Sequence, residues 1–497
     1  MKKLHYIFIF LVFISCSRNS DDDTTDNTSK FKGKISWIKN FGGSGADTFQ
    51  SIIKTTDGGY AILGYSNSTD GDLSNKTLAV NDYWLVKIDA EANLQWSKSY
   101  GGSDDDIGKR LIQTNDGGFA LIGYSKSDDG DASNNEGFHD NWILKLDASG
   151  NLEWEKSFGF SGHDHSYDVV QTDDGGYFFA GFLDITASNG EGSSGKGNYL
   201  TRHGVGEFWG TKLSANGTLE WRRYFGGTNN DRAHGLVKSN DGGFVLSGFS
   251  ESDDFDISSP KGSYDFWVLK INSSGELVWE KSFGGTGIEI SYDIAKTNDN
   301  GYVITGNTFS NDTNISKNNG KSDVWLIKID DSGNLIWEKT FGGSEFDAAQ
   351  SVRPTKDGGF LLAGNSKSND FDLTQNSGEN DIWIIKTDAN GNLLWQKTYG
   401  GNQVDGIACP VYRDDGNIML HYSQGTQPII QGHRLALTFS VIDDDTGDEL
   451  SKKLYQFINH NRTLSHKLIK NDDKFIAVGG FSPEGKLRGG ALQGYTL

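Results

Sequence analysis

The sequence is poor in proline, cysteine and methionine, and it contains no run of basic residues. Among 497 residues there are five prolines, two methionines and two cysteines, Cys16 and Cys409, so no internal disulfide is expected. Asp and Glu outnumber Lys and Arg by 67 to 46, which gives a net charge of -21. A surface of this sign repels phosphate backbones, so nucleic acid is excluded as an expected partner.

Helical spacing of apolar residues is also absent, which argues against a helical solenoid. Glycine and aromatic residues are abundant instead, with 65 glycines and 12% Phe, Tyr and Trp. This mixture is typical of many short strands joined by tight turns, with aromatic side chains filling the space between sheets.

The N-terminus has the pattern of a signal peptide, residues 1–15, in which Lys2 and Lys3 precede an apolar run. The run ends in FISC, which resembles the lipobox of bacterial lipoproteins and implies lipidation of Cys16, with palmitate among the acyl groups. The alternative is an ordinary secretory signal with a coincidental cysteine. Residues 16–33 are expected to form an acidic flexible tether. Its SDDD stretch resembles the surface-export signal of Bacteroidota lipoproteins, which implies an outer-membrane protein anchored by lipid and facing the cell exterior.

Twelve of the thirteen tryptophans form pairs spaced twelve residues apart, and Trp37 stands alone. The pairs are Trp84/Trp96, Trp142/Trp154, Trp209/Trp221, Trp267/Trp279, Trp325/Trp337 and Trp383/Trp395. The first members of successive pairs are 58, 67, 58, 58 and 58 residues apart. A period of this size indicates a repeat architecture.

Each unit reads as four strands. In the first unit Ser51–Thr55 alternates, Asp57–Gly59 is a turn, Tyr60–Tyr65 is apolar, and Tyr83–Asp89 and Asn93–Tyr100 alternate again. Four antiparallel strands per unit predict the blade of a β-propeller. Each fourth-strand Trp is expected to wedge against the neighbouring blade, and the Gly-Gly that follows lets the chain turn inward.

The count of units predicts an all-β, eight-bladed propeller over residues 34–497. The approximate blades are 42–100, 101–158, 159–225, 226–283, 284–341, 342–399, 400–456, and 457–497 together with 34–41. In this arrangement Ile35–Phe41 supplies the strand missing from the last blade, beside Gly490–Leu497. The alternative is a seven-bladed ring with a C-terminal appendage.

The motif Asp-x-x-Gly-x-x-x-Trp, as in Asp330, Gly333 and Trp337, is similar to the tryptophan-docking motif of quinoprotein-like eight-bladed propellers. The whole unit resembles the FGGS and DGGY repeat of Bacteroidota surface lipoproteins. The resemblance implies the fold and the cellular address. A quinone cofactor is not expected, because the vicinal cysteine pair often found in quinoprotein dehydrogenases is absent.

Acidic loops recur after the second strand of several units and present oxygens at i and i+2. This spacing suits calcium, but no unit has the closing Glu of an EF-hand, and Asx-turns that cap a rim loop are the alternative. No other cofactor is expected. The candidate calcium ligands are Asp70, Asp72, Asp129, Asp131, Asp254, Asp256, Asp370 and Asp372.

The third unit is longer than its neighbours, and histidine, tyrosine and arginine cluster there and in the fourth unit. These groups could abstract a proton beside a uronate carboxylate, as a polysaccharide lyase does, or the histidines could hold a transition metal. The residues are His163, His165, Tyr199, Arg202, His203, Arg232 and His234.

The sequence therefore predicts a lipid-anchored cell-surface propeller that acts as a binding or scaffold protein for glycan or protein partners. The alternative is a carbohydrate-active enzyme, a polysaccharide lyase or glycoside hydrolase, with its site at blades 3 and 4. Carbohydrate binding and membrane attachment through the N-terminal lipid are the expected interactions.

Overall fold

The computed structural model describes residues 34–160, 162–184, 205–373, 375–425, 435–456, 464–471, 474–481 and 488–496. These residues form 32 β-strands and a short 3-10 helix, Gly71–Leu73. Within these ranges no helix has the length and apolar character needed to cross a membrane. Cys16 and the rest of the predicted signal peptide and tether lie outside them.

Seven blades each consist of four consecutive antiparallel strands. The strands of blades 1 to 4 are β2 (Asp47–Lys54), β3 (Tyr60–Ser66), β4 (Asp82–Ile88) and β5 (Leu94–Tyr100); β6 (Asp106–Gln113), β7 (Phe119–Ser125), β8 (Asp140–Leu146) and β9 (Leu152–Phe158); β10 (His165–Gln171), β11 (Tyr177–Asp184), β12 (Val205–Leu213) and β13 (Leu219–Phe225); and β14 (Asp231–Lys238), β15 (Phe244–Ser250), β16 (Asp265–Ile271) and β17 (Leu277–Phe283). The strands of blades 5 to 7 are β18 (Glu289–Lys296), β19 (Tyr302–Thr308), β20 (Asp323–Ile329) and β21 (Leu335–Phe341); β22 (Asp347–Pro354), β23 (Phe360–Ser366), β24 (Asp381–Thr387) and β25 (Leu393–Tyr399); and β26 (Gly406–Tyr412), β27 (Ile418–Gly425), β28 (Leu435–Ile442) and β29 (Glu449–Gln456).

The two ends of the chain meet in a further four-stranded sheet, here called the terminal sheet. Its order is β1-β32-β31-β30, with β1 at Lys34–Asn40, β30 at Leu464–Asn471, β31 at Lys474–Phe481 and β32 at Arg488–Thr496. Strand β1 pairs antiparallel with β32, which is the predicted pairing of the first and last strands. The terminal sheet contacts β2 of blade 1 and β26 of blade 7.

The all-β propeller of four-stranded antiparallel blades is confirmed. The seven blades of consecutive strands match the blade number of the alternative prediction. The predicted number of eight blades is therefore corrected to seven, because seven of the described sheets consist of four consecutive strands. Strands β30 to β32 pair with β1 and contact the neighbouring blades 1 and 7.

The first strands of neighbouring blades contact one another, as β10 does with β6 and β14, so the first strands surround the centre of the ring. The connections that enter each first strand, and those that join the second strand to the third, lie together on one face of the ring. We call this the entry face. The Asp-Gly-Gly turns between first and second strands lie on the opposite face. Residues that open the first strands therefore border the central channel.

The fourth-strand tryptophans dock on the next blade, as predicted. Trp279 of blade 4 donates a hydrogen bond from Nε1 to the Asp331 carbonyl of blade 5 at 3.0 Å. Its ring lies under Gly333, where an added Cβ would come within 3.0 Å of the indole, and where φ is +79°. Only glycine combines this backbone conformation with the close approach of a ring, which explains the repeated Asp-x-x-Gly.

The third-strand tryptophans are buried more deeply than their fourth-strand partners. Each of the six is at most 1% exposed: Trp84, Trp142, Trp209, Trp267, Trp325 and Trp383. Several lie against an aromatic ring of the preceding blade, as Trp325 does on Phe266 with centroids 4.5 Å apart. The inter-blade core is therefore centred on the first Trp of each pair.

A buried lysine of the third strand neutralises the aspartate of each Asp-Gly-Gly turn on the face opposite the entry face. Lys212, for example, lies 2.9 Å from Asp174, and hydrogen bonds from Thr172 and Lys212 lower the pKa of Asp174 to about 2. The pair ties the turn between the first two strands to the third strand.

Candidate functional site on the entry face

The residue types at equivalent positions of the repeat vary most noticeably on the entry face, which makes this face the candidate site. In blades 2, 4, 5 and 6 the residue before the third strand pairs, in a parallel bridge, with a residue entering the next blade. These pairs are His139/His163, Tyr264/Ile288, Ser322/Phe346 and Asn380/Val404. The backbone arrangement is thus constant, whereas the side chains presented to solvent differ from one blade junction to the next.

At the junction of blades 2 and 3 this position brings three histidines together. The ring nitrogens Nδ1 of His163 and Nε2 of His139 are 3.1 Å apart, and the His139 and His165 ring centroids are 4.3 Å apart. One ligand atom from each of His139, His163 and His165 lies within 4.8 Å of those of the other two. His139 is buried, His165 is half-buried and His163 is exposed.

Aromatic rings continue from this histidine cluster along the channel mouth toward blade 5. His165 and Tyr167 have stacked rings at 6.5 Å, and Tyr167 contacts the His234 ring edge-on at 6.1 Å. His234 stacks on Tyr292 at 5.9 Å and donates from Nδ1 to the Ser291 carbonyl at 2.7 Å. The rings therefore form a strip that crosses blades 3, 4 and 5.

Two cations lie on rings that contact this strip at His165, namely Phe182 and Tyr124. The guanidinium of Arg232 is 4.8 Å from the Phe182 ring centroid, and Lys109 Nζ is 5.8 Å from that of Tyr124. Cation–π attraction of this kind holds the cations close to the rings. The strip therefore combines aromatic surface with positive charge in a protein that is acidic overall.

Burial favours the neutral form of three imidazoles in this region. It lowers the pKa of His139 to about 4 and that of His165 to about 3, and it also lowers the pKa of His234. Burial raises the pKa of Tyr167 and Tyr292, so both phenols stay protonated. At neutral pH the rings offer lone pairs, hydroxyl donors and apolar faces, without a phenolate base.

The predicted catalytic group is spread more widely than its assignment to blades 3 and 4 implied. His163 and His165 meet His139 of blade 2, because the chain entering blade 3 pairs with the segment entering β8. His234 lies between Tyr167 of blade 3 and Tyr292 of blade 5. The three remaining predicted residues, Tyr199, Arg202 and His203, lie outside the described residues. The four described residues share one strip but do not converge on one pocket.

A cavity of about 290 Å³ opens on the same face between blades 5 and 6. Tyr292, the last ring of the strip, lines it, together with Phe309 and Phe346. The two phenylalanine rings are 41% and 44% exposed, and their centroids are 6.2 Å apart at an angle of 62°. Large apolar rings left this open beside a cavity are characteristic of a binding surface.

Amide side chains form the polar part of this cavity: Asn307, Gln350, Asn365 and Asn380. Asn365 and Asn380 each donate from Nδ2 to the Asp405 carbonyl at 3.2 Å, which fixes their orientation. Their Oδ1 atoms accept no hydrogen bond from any described residue, so both are available as acceptors. The buried Oδ1 of Asn307 also has no partner.

The predicted calcium ligands bind backbone amides of the Gly-Gly turn that joins consecutive blades. In each loop the first Asp accepts from the residue after Gly-Gly, and the second accepts from the first Gly. The accepted donors are the backbone N–H groups of Ser44 (Asp70), Gly42 (Asp72), Ser103 (Asp129), Gly101 (Asp131), Thr228 (Asp254), Gly226 (Asp256), Ser344 (Asp370) and Gly342 (Asp372), at 2.6 to 3.3 Å. Each loop therefore anchors, through hydrogen bonds, the connection that enters its own blade.

This arrangement explains the second glycine of the motif. A Cβ on Gly343 would lie 2.5 Å from Asp370 Oδ1, so any side chain there would displace the carboxylate from its backbone donor. Among the described residues, the His139, His163 and His165 cluster is the group of three whose ligand atoms come within 4.8 Å of one another. The loop carboxylates are not gathered in this way.

Asp372→Ala tests the hydrogen-bonding role. The variant loses the 3.1 Å bond from Gly342 N–H, so we expect its free energy of unfolding to fall by about 1 kcal/mol. Thermal unfolding should show the same loss with and without calcium, and calcium should leave the wild-type midpoint unchanged. A calcium-dependent rise in the midpoint that Asp372→Ala abolishes would instead make the loop an ion site.

Sequence reasoning found His163, His165, Arg232 and His234 from composition but missed His139 and the phenylalanine cavity. The signal was present in the residue directly before the third-strand acid. It is Asn81, His139, Tyr264, Ser322 and Asn380 in the units where Asp and Trp follow at constant spacing. This position varies between neighbouring structural residues that stay constant, and it lies on the entry face.

Fold and site together define a β-propeller with an aromatic, amide-lined surface on one channel mouth. No protein-family model matches the chain, and no curated protein matches it. Solved structures similar to it include the β-propeller domain of the Trilobed protease from Pyrococcus furiosus, with 12% identity, a TM-score of 0.37, and coverage of 77% of this chain and 93% of that one.

The Pan2 WD40 domain from Neurospora crassa has 8% identity and a TM-score of 0.38, with coverage of 78% and 88%. A protein of unknown function from Dyadobacter fermentans has 14% identity and a TM-score of 0.35, with coverage of 67% and 94%. None of these similarities bears on what the present chain binds.

Proposed function

We propose that this protein is a glycan-binding β-propeller, held at the outer surface of the cell by a lipid on Cys16. The observation that carries the proposal is the cavity between blades 5 and 6, where two exposed phenylalanine rings stand beside oriented amides. Sugar rings have an apolar C–H face that packs on aromatic rings and an edge of hydroxyls that pair with amides.

The ligand class follows from charge. The chain has a net charge of -21, and Asp347 lines the cavity, so a polyanionic glycan is disfavoured at this position. Lys367 is the lysine among the lining residues of the cavity. Neutral polysaccharide chains are therefore the proposed ligands, lying along the aromatic strip from blade 6 toward blade 3.

The test is binding to a panel of neutral and acidic polysaccharides by affinity electrophoresis and calorimetry. Phe346→Ala should weaken binding of the neutral ligand about 5- to 30-fold, since loss of one aromatic anchor removes about 1–2 kcal/mol. Leu394→Ala is the matched control, because Leu394 is 54% exposed but lies on a peripheral fourth strand. It should bind like the wild type.

Two outcomes would contradict the proposal. One is the absence of binding to every neutral glycan, and the other is equal binding by Phe346→Ala and wild type. The same panel tests the enzymatic alternative, because a lyase generates unsaturated uronate products that absorb in the ultraviolet. Such products from an acidic polysaccharide would establish catalysis in place of simple binding.

A further inference from the structure

The histidine cluster at the junction of blades 2 and 3 has a geometry that the glycan proposal does not use. Backbone pairing holds its first two members in place. His139 and His163 form a parallel bridge, and Asp164 N–H donates to the His139 carbonyl at 3.0 Å. His165 opens β10 two residues later. The three rings are thus carried by paired backbone and the first residue of a strand, which is a rigid base for a site.

The spacing of the ring nitrogens matches a shared ion. Two imidazoles bound to one zinc ion at about 2.0–2.1 Å in a tetrahedron have their nitrogens about 3.3 Å apart. The observed separation between His163 Nδ1 and His139 Nε2 is 3.1 Å. All three rings present a nitrogen within 4.8 Å of the others, so a small adjustment of side-chain torsions completes a three-nitrogen face.

We propose that His139, His163 and His165 form a binding site for a divalent first-row transition ion of the zinc type. Nitrogen ligands select such ions over calcium or magnesium, which prefer oxygen. Lys109, Lys126 and Arg232 are the nearby cations that oppose binding.

The site keeps one coordination position open. His163 is exposed and His165 is half-buried, so the side of the cluster away from His139 faces solvent. Three histidines with a fourth position left to water or a ligand describe an open zinc site, in contrast to a closed structural one. The bridge positions in other junctions hold Ser322/Phe346 and Asn380/Val404, which lack this ligand set, so one ion per chain is expected.

The experiment is calorimetric titration with Zn²⁺ of chelator-treated full-length chain that carries no histidine tag. We expect one tight zinc site per chain. When Co²⁺ replaces zinc, we expect visible absorption bands with the intensity typical of Co²⁺ bound by nitrogen ligands in a site of low symmetry. His163→Ala should weaken zinc binding about 100-fold without loss of the fold, because its side chain is exposed. His234→Ala, which removes a histidine outside the cluster, is the matched control and should bind zinc like the wild type.

Excess Ca²⁺ added to the calorimeter cell distinguishes zinc bound at the histidine site from zinc bound by surface carboxylates. Calcium should displace only the zinc that is bound by carboxylates. If zinc binds equally well to His163→Ala, or if calcium displaces all of it, the proposal is wrong. His165→Gln provides a second check, and its zinc affinity should fall as well. Glycan binding at the Phe346 cavity is measured on the same variants. The zinc proposal and the glycan proposal can therefore fail independently of each other.

Discussion

Trp325→Ala is expected to lower the free energy of unfolding by about 3–5 kcal/mol, the range for removing a large aromatic side chain from a packed core. Trp325 is fully buried in β20 of blade 5. Its ring lies 4.5 Å from that of Phe266 in blade 4, and its Nε1 donates to Glu338 Oε2 at 3.1 Å. The substitution therefore opens a cavity between two blades and leaves a carboxylate without its donor.

Replacing the second tryptophan of the same pair should lower the free energy of unfolding by less. Trp337 is only half-buried, and it packs at the edge of blade 6, with its ring centroid 5.8 Å from that of Phe360. We expect Trp337→Ala to cost about 1–2 kcal/mol, since part of the cavity fills with water. Ile336→Ala is the control, because Ile336 is 52% exposed and its truncation should change stability by less than about 0.5 kcal/mol.

Chemical denaturation followed by circular dichroism measures all three variants without relying on tryptophan emission. Equal losses for Trp325→Ala and Trp337→Ala would contradict the conclusion that the third-strand ring forms the inter-blade core. That result would return the main packing role to the fourth-strand position.

Much of this architecture could be predicted from the sequence because the repeat encodes it redundantly. The spacing of twelve between tryptophans fits a strand, a five-residue connection and a return strand. The prediction that the fourth-strand Trp docks on the next blade was confirmed at Trp279 and Gly333. Pairing of the first and last strands followed from counting strands, and β1 and β32 pair as expected.

The sequence could not show which tryptophan of a pair is buried more deeply, because both lie in strands with the same alternation of apolar and polar residues. Rank depends on which strand is central in the blade, and the third strand has neighbours on both sides whereas the fourth has an open edge. The loop acids could not be assigned either. Asp370 and Asp372 have the spacing of a cation loop, and only the position of the Gly342–Ser344 amides shows what they bind.

The candidate site was predicted in part. Composition located His163 and His165, but His139 is 24 residues from His163 and reaches it only through the inter-blade bridge. The cavity between Phe309 and Phe346 gave no local signal, since single phenylalanines in loops are common. Contacts between adjacent blades place these side chains together, and a spacing rule within one unit cannot reveal them.

Buried acid groups at the blade junctions lead to the second large expected effect, which concerns pH. The third strand of most blades opens with a buried Asp, and the next blade opens with another acid close by. A Cβ on Gly400, for example, would lie within 2.7 Å of carboxylate oxygens of both Asp381 and Asp405. Burial raises the pKa of four such groups to about 7, namely Asp82, Asp140, Asp323 and Asp405, and that of two more to about 6, Asp231 and Asp265.

The sign of the effect follows from linkage. These carboxyl groups bind a proton more tightly in the folded chain than in the unfolded chain, where their pKa is about 3.9. The stability they contribute is fully present below about pH 4 and is lost as pH rises through 6 to 7. The imidazoles of His139, His165, His234 and His421 act in the opposite direction, since burial lowers their pKa values and makes the fold less stable as pH falls below about 6.5. Six carboxyl groups outweigh four imidazoles, so the fold is expected to be more stable at pH 5.5 than at pH 8.

Asp323→Asn isolates one junction. Asp323 Oδ2 accepts from Asn319 N–H at 2.9 Å, whereas Oδ1 is buried without a partner. An amide keeps the acceptor, cannot ionise, and removes repulsion with the nearby Asp347 carboxyl. We expect the variant to gain on the order of 1–3 kcal/mol at pH 8 and little at pH 5.5, as measured by calorimetric unfolding at both values. Asp253→Asn, an exposed control, should leave the pH dependence unchanged. Two results would contradict this prediction. One is a wild-type unfolding temperature that is lower at pH 5.5 than at pH 8, and the other is an Asp323→Asn variant that is less stable than the wild type at pH 8. Either result would show that the surrounding blades hold the buried acids in their ionised form.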